Sequence, residues 1–382
     1  MAYHTTPYLL LFLPAALLFY QITPAKWRSY TLLIFSYLFF WSFSEKLIIY
    51  LIGTTFLTHH ICIWMDTMDK RDKRKKRVLQ LGIFLLLGTI LCLKYRNFFF
   101  GNVSKLAMLL HIDWSYQDQL IFLPIGISFY TLSAIGYMTD VYWGKVKAEY
   151  SLVKTALFLG FFPVIVEGPI CRWEDVEDTL FKNESVKAEN VFTGSYRIIW
   201  GLFKKMIIAD RLAVLVDKVY VGYESYSGAV IVAAAISYTI QLYMEFSGCM
   251  DMVIGSARLF GIRLPENFSQ PFFAKTCTDF WKRWHITLGV WFKNYIFYPV
   301  SISKTARKWN KFTRKHFKGD FGKYMARMGI AAMALFPVWI SNGLWHGPKW
   351  NYIFYGLYYF GLIFMGLALE PVRDRILAVL HI

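Results

Sequence analysis

Apolar residues come along this chain in long runs separated by short polar breaks, the pattern of membrane-crossing helices rather than of half-buried elements. The runs cover about residues 8–22, 30–43, 47–65, 78–93, 120–142, 152–170, 196–208, 229–246, 331–344 and 352–369. The second is shorter than the roughly 20 residues that cross hydrocarbon, so it would tilt, borrow its flanks or span only partly. Neither β-barrel alternation nor a repeat of about 20–50 residues is visible. The expected fold class is all-α, a polytopic membrane helical bundle forming one integral domain over residues 1–382.

Three apolar stretches are broken by Gly or Pro: LPIGISFY from Leu123, FFPVIVEGPI from Phe161 and NGLWHGP from Asn342. Non-helical backbone at membrane depth survives only where protein or a cavity covers it, so these breaks predict re-entrant segments around an internal chamber. Between residues 145 and 190, charged side chains from Glu174 to Glu189 mark an aqueous loop.

Composition narrows the class. Of 382 residues, 56% are hydrophobic and only 18% charged, against about 25% charged in soluble domains. A set of soluble domains and a disordered chain are both excluded. The net charge of +17 is concentrated. KRDKRKKR from Lys70 and KTARKWNKFTRKHFK from Lys304 to Lys318 each hold seven bases, with Asp72 the one acid between them. Basic residues in short loops beside apolar runs lie on the cytoplasmic side, which places Lys26 and Arg28 inside and the N-terminus outside. The same clusters suit anionic lipid or an acidic partner, and nucleic acid is set aside. MAYHTT lacks the basic start of a cleavable signal, so the first run is expected to be retained.

Cys62, Cys92, Cys171, Cys249 and Cys277 are scattered and odd in number, which fits buried free thiols. His59 and His60 beside Cys62 look metal-like, but neighbouring helix positions point about 100° apart and cannot share a ligand face. No metal site is expected.

Ionisable residues inside apolar runs are costly and mark function by default. Glu167 lies in FFPVIVEGPICRW, where Arg172 is a candidate partner. Glu245 and Asp251 lie in YTIQLYMEFSGCMDM, six apart and so not on one helical face. His285 falls among aromatics in FWKRWHITLGVWF, a composition that an interfacial amphipathic helix also produces. His346 stands at the end of an apolar run, directly before Gly347-Pro348. An imidazole in apolar surroundings stays neutral and can accept a proton, as a general base must. A helix-end histidine bonded to a carbonyl is the equal alternative. GxSxG, P-loop and GxGxxG signatures are absent, which leaves a histidine-centred reaction or none.

The run from Tyr238 to Pro299, together with LPIGISFYTLSAIGYMTDVY, FFPVIVEGPICRW and GLWHGPKWNYIFYGLYY, resembles the bacterial membrane-bound O-acyltransferases (MBOAT) of the AlgI and DltB kind. The motifs follow family order from about residue 120 to 360, so residues 116–370 would form the core and 1–115 the N-terminal spans. RLPENFSQPF leans to the AlgI side, whereas the end soon after Glu370 is nearer DltB in length. Glu245 replaces a frequent Asp before FSG, and Lys293-Asn294 a usual Arg-Asp.

The resemblance implies a ring-like bundle around a central tunnel in a bacterial cytoplasmic membrane. His346 of the WHG motif matches the histidine regarded as catalytic, and His285 of FWKRWH the second characteristic histidine. Trp281, Arg283, Trp284, Asn342, Trp345, Glu245 and Asp251 would line or support the chamber. No bound cofactor is implied; an acyl thioester, on coenzyme A or a carrier protein at the cytoplasmic face, would be the donor. The acceptor would be a hydroxyl of a cell-envelope polysaccharide or of an extracytoplasmic partner of the SGNH or DltD kind. Acetyl is the first expectation and D-alanyl transfer to teichoic acid the second. A transporter using Glu167, Glu245 and Asp251 as a relay, or a scaffold, is the non-enzymatic reading.

Overall fold

The computed structural model describes residues 2–69 and 71–380. Helices dominate, and no β-strand element occurs among the described residues. Among those residues five helical stretches are long and apolar enough to cross a membrane: Ala25–Asp66, Lys73–Leu109, Gly228–Leu259, Gly319–His346 and Trp350–Ala368. The shorter apolar Pro7–Ile22 precedes them. The protein is an all-α, multi-pass membrane protein.

Several boundaries differ from the sequence reading. The runs at 30–43 and 47–65 belong to one helical stretch, interrupted at Glu45, whose φ of +43° breaks the helix Arg28–Ser44 from Ile48–Asp66. Both basic segments expected as loops are largely helical. Lys73–Ile90 starts inside the first, where the Asp72 carboxylate accepts from the Arg74 amide at 2.8 Å; Lys70 lies outside the described residues. The second forms the helix Lys304–His316, opened by Ser303, whose hydroxyl accepts from the Ala306 amide at 3.2 Å. Lys and Arg are good helix formers, so a run of them reports location better than conformation. The charged loop at 145–190 contains the helices Leu152–Gly160 and Trp173–Leu180. Non-helical backbone follows Gly160 through Pro163 and Pro169.

The chain forms two compact units. The first comprises Met1–Leu87 and Leu123–Phe268. Its core is aromatic: Tyr3 stacks on Phe39 at 5.6 Å, and Phe12 meets Phe162 edge-on at 5.2 Å. Buried tyrosines need partners for their hydroxyls, and Tyr3 finds the Phe162 carbonyl at 2.9 Å while Tyr8 finds Ser256 at 2.9 Å. The helix Ala188–Leu202 lies along Gly228–Leu259, with Gly194 against Gly255 and Gly201 against Gly248. Small residues let the two backbones approach closely, as in membrane helix pairs.

The second unit comprises Gly88–Phe122 and Ser269–Ile382. Gly319–His346 and Trp350–Ala368 run antiparallel, since Gly343 meets Gly356 near the turn while the Tyr324 hydroxyl reaches the Ala368 carbonyl at 2.9 Å at the other end. The basic helix docks on the start of this hairpin. Its Trp309 indole donates to the Met325 carbonyl at 3.1 Å and its ring covers Gly329, while Lys304, Arg307, Lys308, Lys311, Arg314 and Lys315 remain exposed.

Candidate functional site

Within the second unit, His285 and His346 line one cavity of about 370 Å³. The two are 61 positions apart in sequence, and different local breaks present them. His285 separates the short helices Cys277–Arg283 and Ile286–Phe292, with φ +48° and ψ 52°. A non-glycine residue in this left-handed region costs of order 1 kcal/mol and is held there only by its surroundings, a feature that gathers at functional sites. His346 is the last residue of Gly319–His346, where Gly347 and Pro348 stop the helix.

The Trp345 ring stands between the imidazoles, 5.5 Å from that of His285 and 5.0 Å from that of His346. Tyr352 stacks near His346 at 6.0 Å and Tyr355 meets it edge-on at 5.5 Å. Trp281 lies in the same aromatic wall, 5.0 Å from Trp339 and 4.9 Å from Tyr359. Leu335, Val338, Val290 and Phe292 complete an apolar lining. His285, only 4% exposed and outside the five spanning helices, has its pKa pulled down to about 3 by burial, with His346 adding to the effect. It is therefore a neutral imidazole at physiological pH.

Asn342, one helical turn before His346, also lines the cavity and is buried. Its Oδ1 accepts no hydrogen bond from the described residues. A buried amide oxygen without a partner costs about 1–3 kcal/mol. It is an acceptor available to a ligand.

The remaining expected site residues are distributed as follows. Trp281 and Trp284 line the cavity, whereas Arg283 turns to Asp279 at 3.1 Å and is absent from the lining. Trp345 contributes its ring between the histidines rather than a cavity wall. Glu245 and Asp251 belong to the first unit. There Glu245 bonds Lys205 at 2.6 Å, and Asp251 bonds Lys204 at 2.6 Å and Arg197 at 3.1 Å. Arg172 pairs with Glu174 and Asp175 instead of Glu167, which accepts from the Cys249 thiol at 3.4 Å. His59 and His60 face separate partners, Thr155 and the Phe56 carbonyl.

Two residues that sequence reading passed over reach the end of the His346 helix. Lys94 Nζ donates to the Trp345 carbonyl at 2.6 Å, and the Tyr95 hydroxyl donates to the Leu344 carbonyl. Lys94 follows the apolar run at 78–93, so the rule that singled out Glu167 could have found it.

A family model for membrane-bound O-acyltransferases matches residues 146–317, which include His285 and stop short of His346. Over 94% of its length the chain is 31% identical to a probable alginate O-acetylase AlgI of Pseudomonas putida, covering 69% of that protein. The chain belongs to the membrane-bound O-acyltransferase family. It is also 28% identical over 97% of its length to the peptidoglycan O-acetyltransferase of Helicobacter pylori. Against the teichoic acid D-alanyltransferase of Bacillus subtilis it is 30% identical over 62% of its length. The chain spans about two thirds of the alginate O-acetylases, 69% of the Pseudomonas putida protein and 64% of the Pseudomonas aeruginosa one. Membership makes this MBOAT chain an acyltransferase.

Proposed function

We propose that the protein passes an acyl group, acetyl first, from a thioester on the cytoplasmic side to a hydroxyl of a cell-envelope polysaccharide or of an extracytoplasmic partner protein. The observation that carries this reading is the meeting of His285, His346 and the unsatisfied Asn342 in one apolar cavity. In such surroundings the imidazole stays unprotonated, with a nitrogen free to accept a proton, while water is excluded. His346 takes the proton from the acceptor hydroxyl as its oxygen forms the new bond to the thioester carbonyl carbon. The tetrahedral oxyanion collapses, the carbon–sulfur bond breaks, and the proton returns from His346 to the departing thiolate. His285, through its ring N–H, donates towards the oxyanion, while the unsatisfied Asn342 Oδ1 accepts from a donor on the bound substrate and holds it in place.

Geometry within the second unit also favours transport of the acyl group rather than of the acceptor. The basic helix docks at Met325, and His346 lies 21 residues further along the same helix. At 1.5 Å per residue that is about 31 Å, close to the thickness of bilayer hydrocarbon. A donor with phosphates or an acidic carrier would be attracted to the exposed lysines and arginines of Lys304–His316, while the reacting carbonyl travels towards His346 through the expected tunnel.

Acetyl is favoured over D-alanyl because the similarity to the O-acetylases covers nearly the whole chain and that to the D-alanyltransferase 62% of it. The test is His346→Ala in cells, with O-acyl content of the envelope polymer as the readout. Loss of O-acylation at normal membrane abundance is expected; unchanged O-acylation would remove His346 from the chemistry. A transporter predicts no acyl transfer in vesicles supplied with a labelled thioester.

A further inference from the structure

A helix ending at a catalytic residue must have its last carbonyls satisfied, because the final four have no intrahelical partner. Gly319–His346 cannot do this with its own continuing chain. Gly347 has φ 171° rather than the left-handed conformation of a common helix stop, and the next residue, Pro348, has no N–H to return to the last turn. Two side chains from elsewhere supply the missing donors. Lys94 Nζ meets the Trp345 carbonyl at 2.6 Å and the Tyr95 hydroxyl meets the Leu344 carbonyl, so the two carbonyls immediately before His346 are taken by two consecutive residues.

Lys94 and Tyr95 close the π-helical turn Leu91–Tyr95 between Lys73–Ile90 and Arg96–Leu109. A π turn widens the backbone and alters the angle between neighbouring side chains, and such turns recur at functional sites. The Lys94 ammonium also stands at the negative end of the Gly319–His346 helix dipole, where a cation is favoured. Two donors on two successive carbonyls restrict both rotation and axial sliding of the last turn, and with them the position of the His346 ring.

We infer that Lys94 and Tyr95 are positioning residues that clamp the last helical turn and thereby aim the His346 imidazole into the reaction cavity. This rests on the proposal that His346 performs the acyl transfer. Neither side chain needs to touch substrate. Misplacement of a reacting group by about 1 Å can cost on the order of a hundredfold in rate, so loss of one donor should be visible in turnover before it is visible in substrate affinity.

The experiment uses full-length protein in proteoliposomes with a labelled acetyl thioester and an acceptor hydroxyl, comparing Lys94→Met, Lys94→Arg, Tyr95→Phe and His346→Ala. For Lys94→Met and Tyr95→Phe the expected result is a fall in kcat of about ten- to a hundredfold with the donor KM changed less than about twofold. Lys94→Arg, which retains charge and donors, should recover most of kcat. A second readout does not depend on turnover: the rate of His346 carbethoxylation, followed by mass spectrometry, should change in Tyr95→Phe while that of exposed His316 does not. Wild-type kcat and unchanged His346 reactivity in both Lys94→Met and Tyr95→Phe would overturn the clamp. If His346→Ala keeps full activity while carbethoxylation still responds to Tyr95→Phe, the catalytic assignment has failed and the clamp stands.

Discussion

Gly201 and Gly248 face each other across a helix crossing with no room for a side chain on either. A Cβ on Gly201 would lie 2.5 Å from the Gly248 carbonyl oxygen, and one on Gly248 would lie 2.8 Å from the Gly201 carbonyl oxygen. Seven residues away on both helices the relationship repeats, with Gly194 against Gly255 at 2.8 and 2.7 Å. The obstructing atoms are backbone, which cannot rotate away. Gly248→Val should therefore separate the helices and cost about 1–3 kcal/mol or more. The measurement is the melting temperature of detergent-purified protein, and an unchanged value would show that this crossing is looser than described. Gly53, which has open space around its Cβ position, is the matched control.

The same crossing carries the two acids that sequence reading placed near the chamber, and their surroundings separate them. Asp251 is 8% exposed and holds both Lys204 and Arg197, whereas Glu245 is half-exposed and holds Lys205. Removing one member of a buried charge cluster leaves uncompensated charge and costs about 3–5 kcal/mol, while an exposed pair is worth about 1 kcal/mol or less. Asp251→Ala should thus lower folded yield sharply and Glu245→Ala, at the half-exposed pair, much less. A relay role predicts the opposite emphasis, with both variants folded and both inactive. Quantifying protein by fluorescence size-exclusion chromatography beside activity distinguishes the two.

The sequence was informative where a side chain's cost depends on its own neighbours, and mute where geometry comes from distant segments. Hydropathy located the apolar helices, and the Gly-Pro after His346 revealed its end. The meeting of His346 with His285 depends on the path of the whole second unit, which no spacing encodes. Arg283 was assigned to the chamber although Asp279, four residues earlier on the same short helix, was a visible competitor. The π turns at Leu91–Tyr95, Phe203–Ala209 and Lys293–Phe297 leave no mark in hydropathy, so although the charge of Lys94 at the end of an apolar run was visible, its reach and that of Tyr95 to the His346 helix were not.

Asn342 tests whether an uncompensated polar group is retained for function. Its Oδ1 is buried and accepts nothing among the described residues, so the fold carries a penalty of about 1–3 kcal/mol there. Asn342→Leu, close in volume and without polar atoms, should raise thermal stability or leave it unchanged while reducing acyl transfer at least about tenfold. Stability and activity moving in opposite directions is the diagnostic result. A variant that loses both would assign Asn342 to the packing of the fold rather than to substrate.

His285 makes stability depend on pH in a direction that its burial decides. Its folded pKa is about 3, whereas an unfolded histidine titrates near about 6.5. Below about pH 6.5 the unfolded chain takes up a proton that the folded protein refuses, so His285 lowers stability as pH falls from there towards about 3. The steepest slope for one proton is about 1.4 kcal/mol per pH unit. His285→Gln removes this titration. The melting temperature of that variant should therefore fall less than that of the wild-type protein between about pH 6.5 and 4, with the two curves parallel above about pH 7. Other acid-sensitive groups act on both proteins alike, so the difference between the curves isolates the imidazole. Parallel curves over the whole range would mean that the folded protein protonates His285 as readily as the unfolded chain does, and that residue 285 is not the shielded neutral base partner described for the cavity.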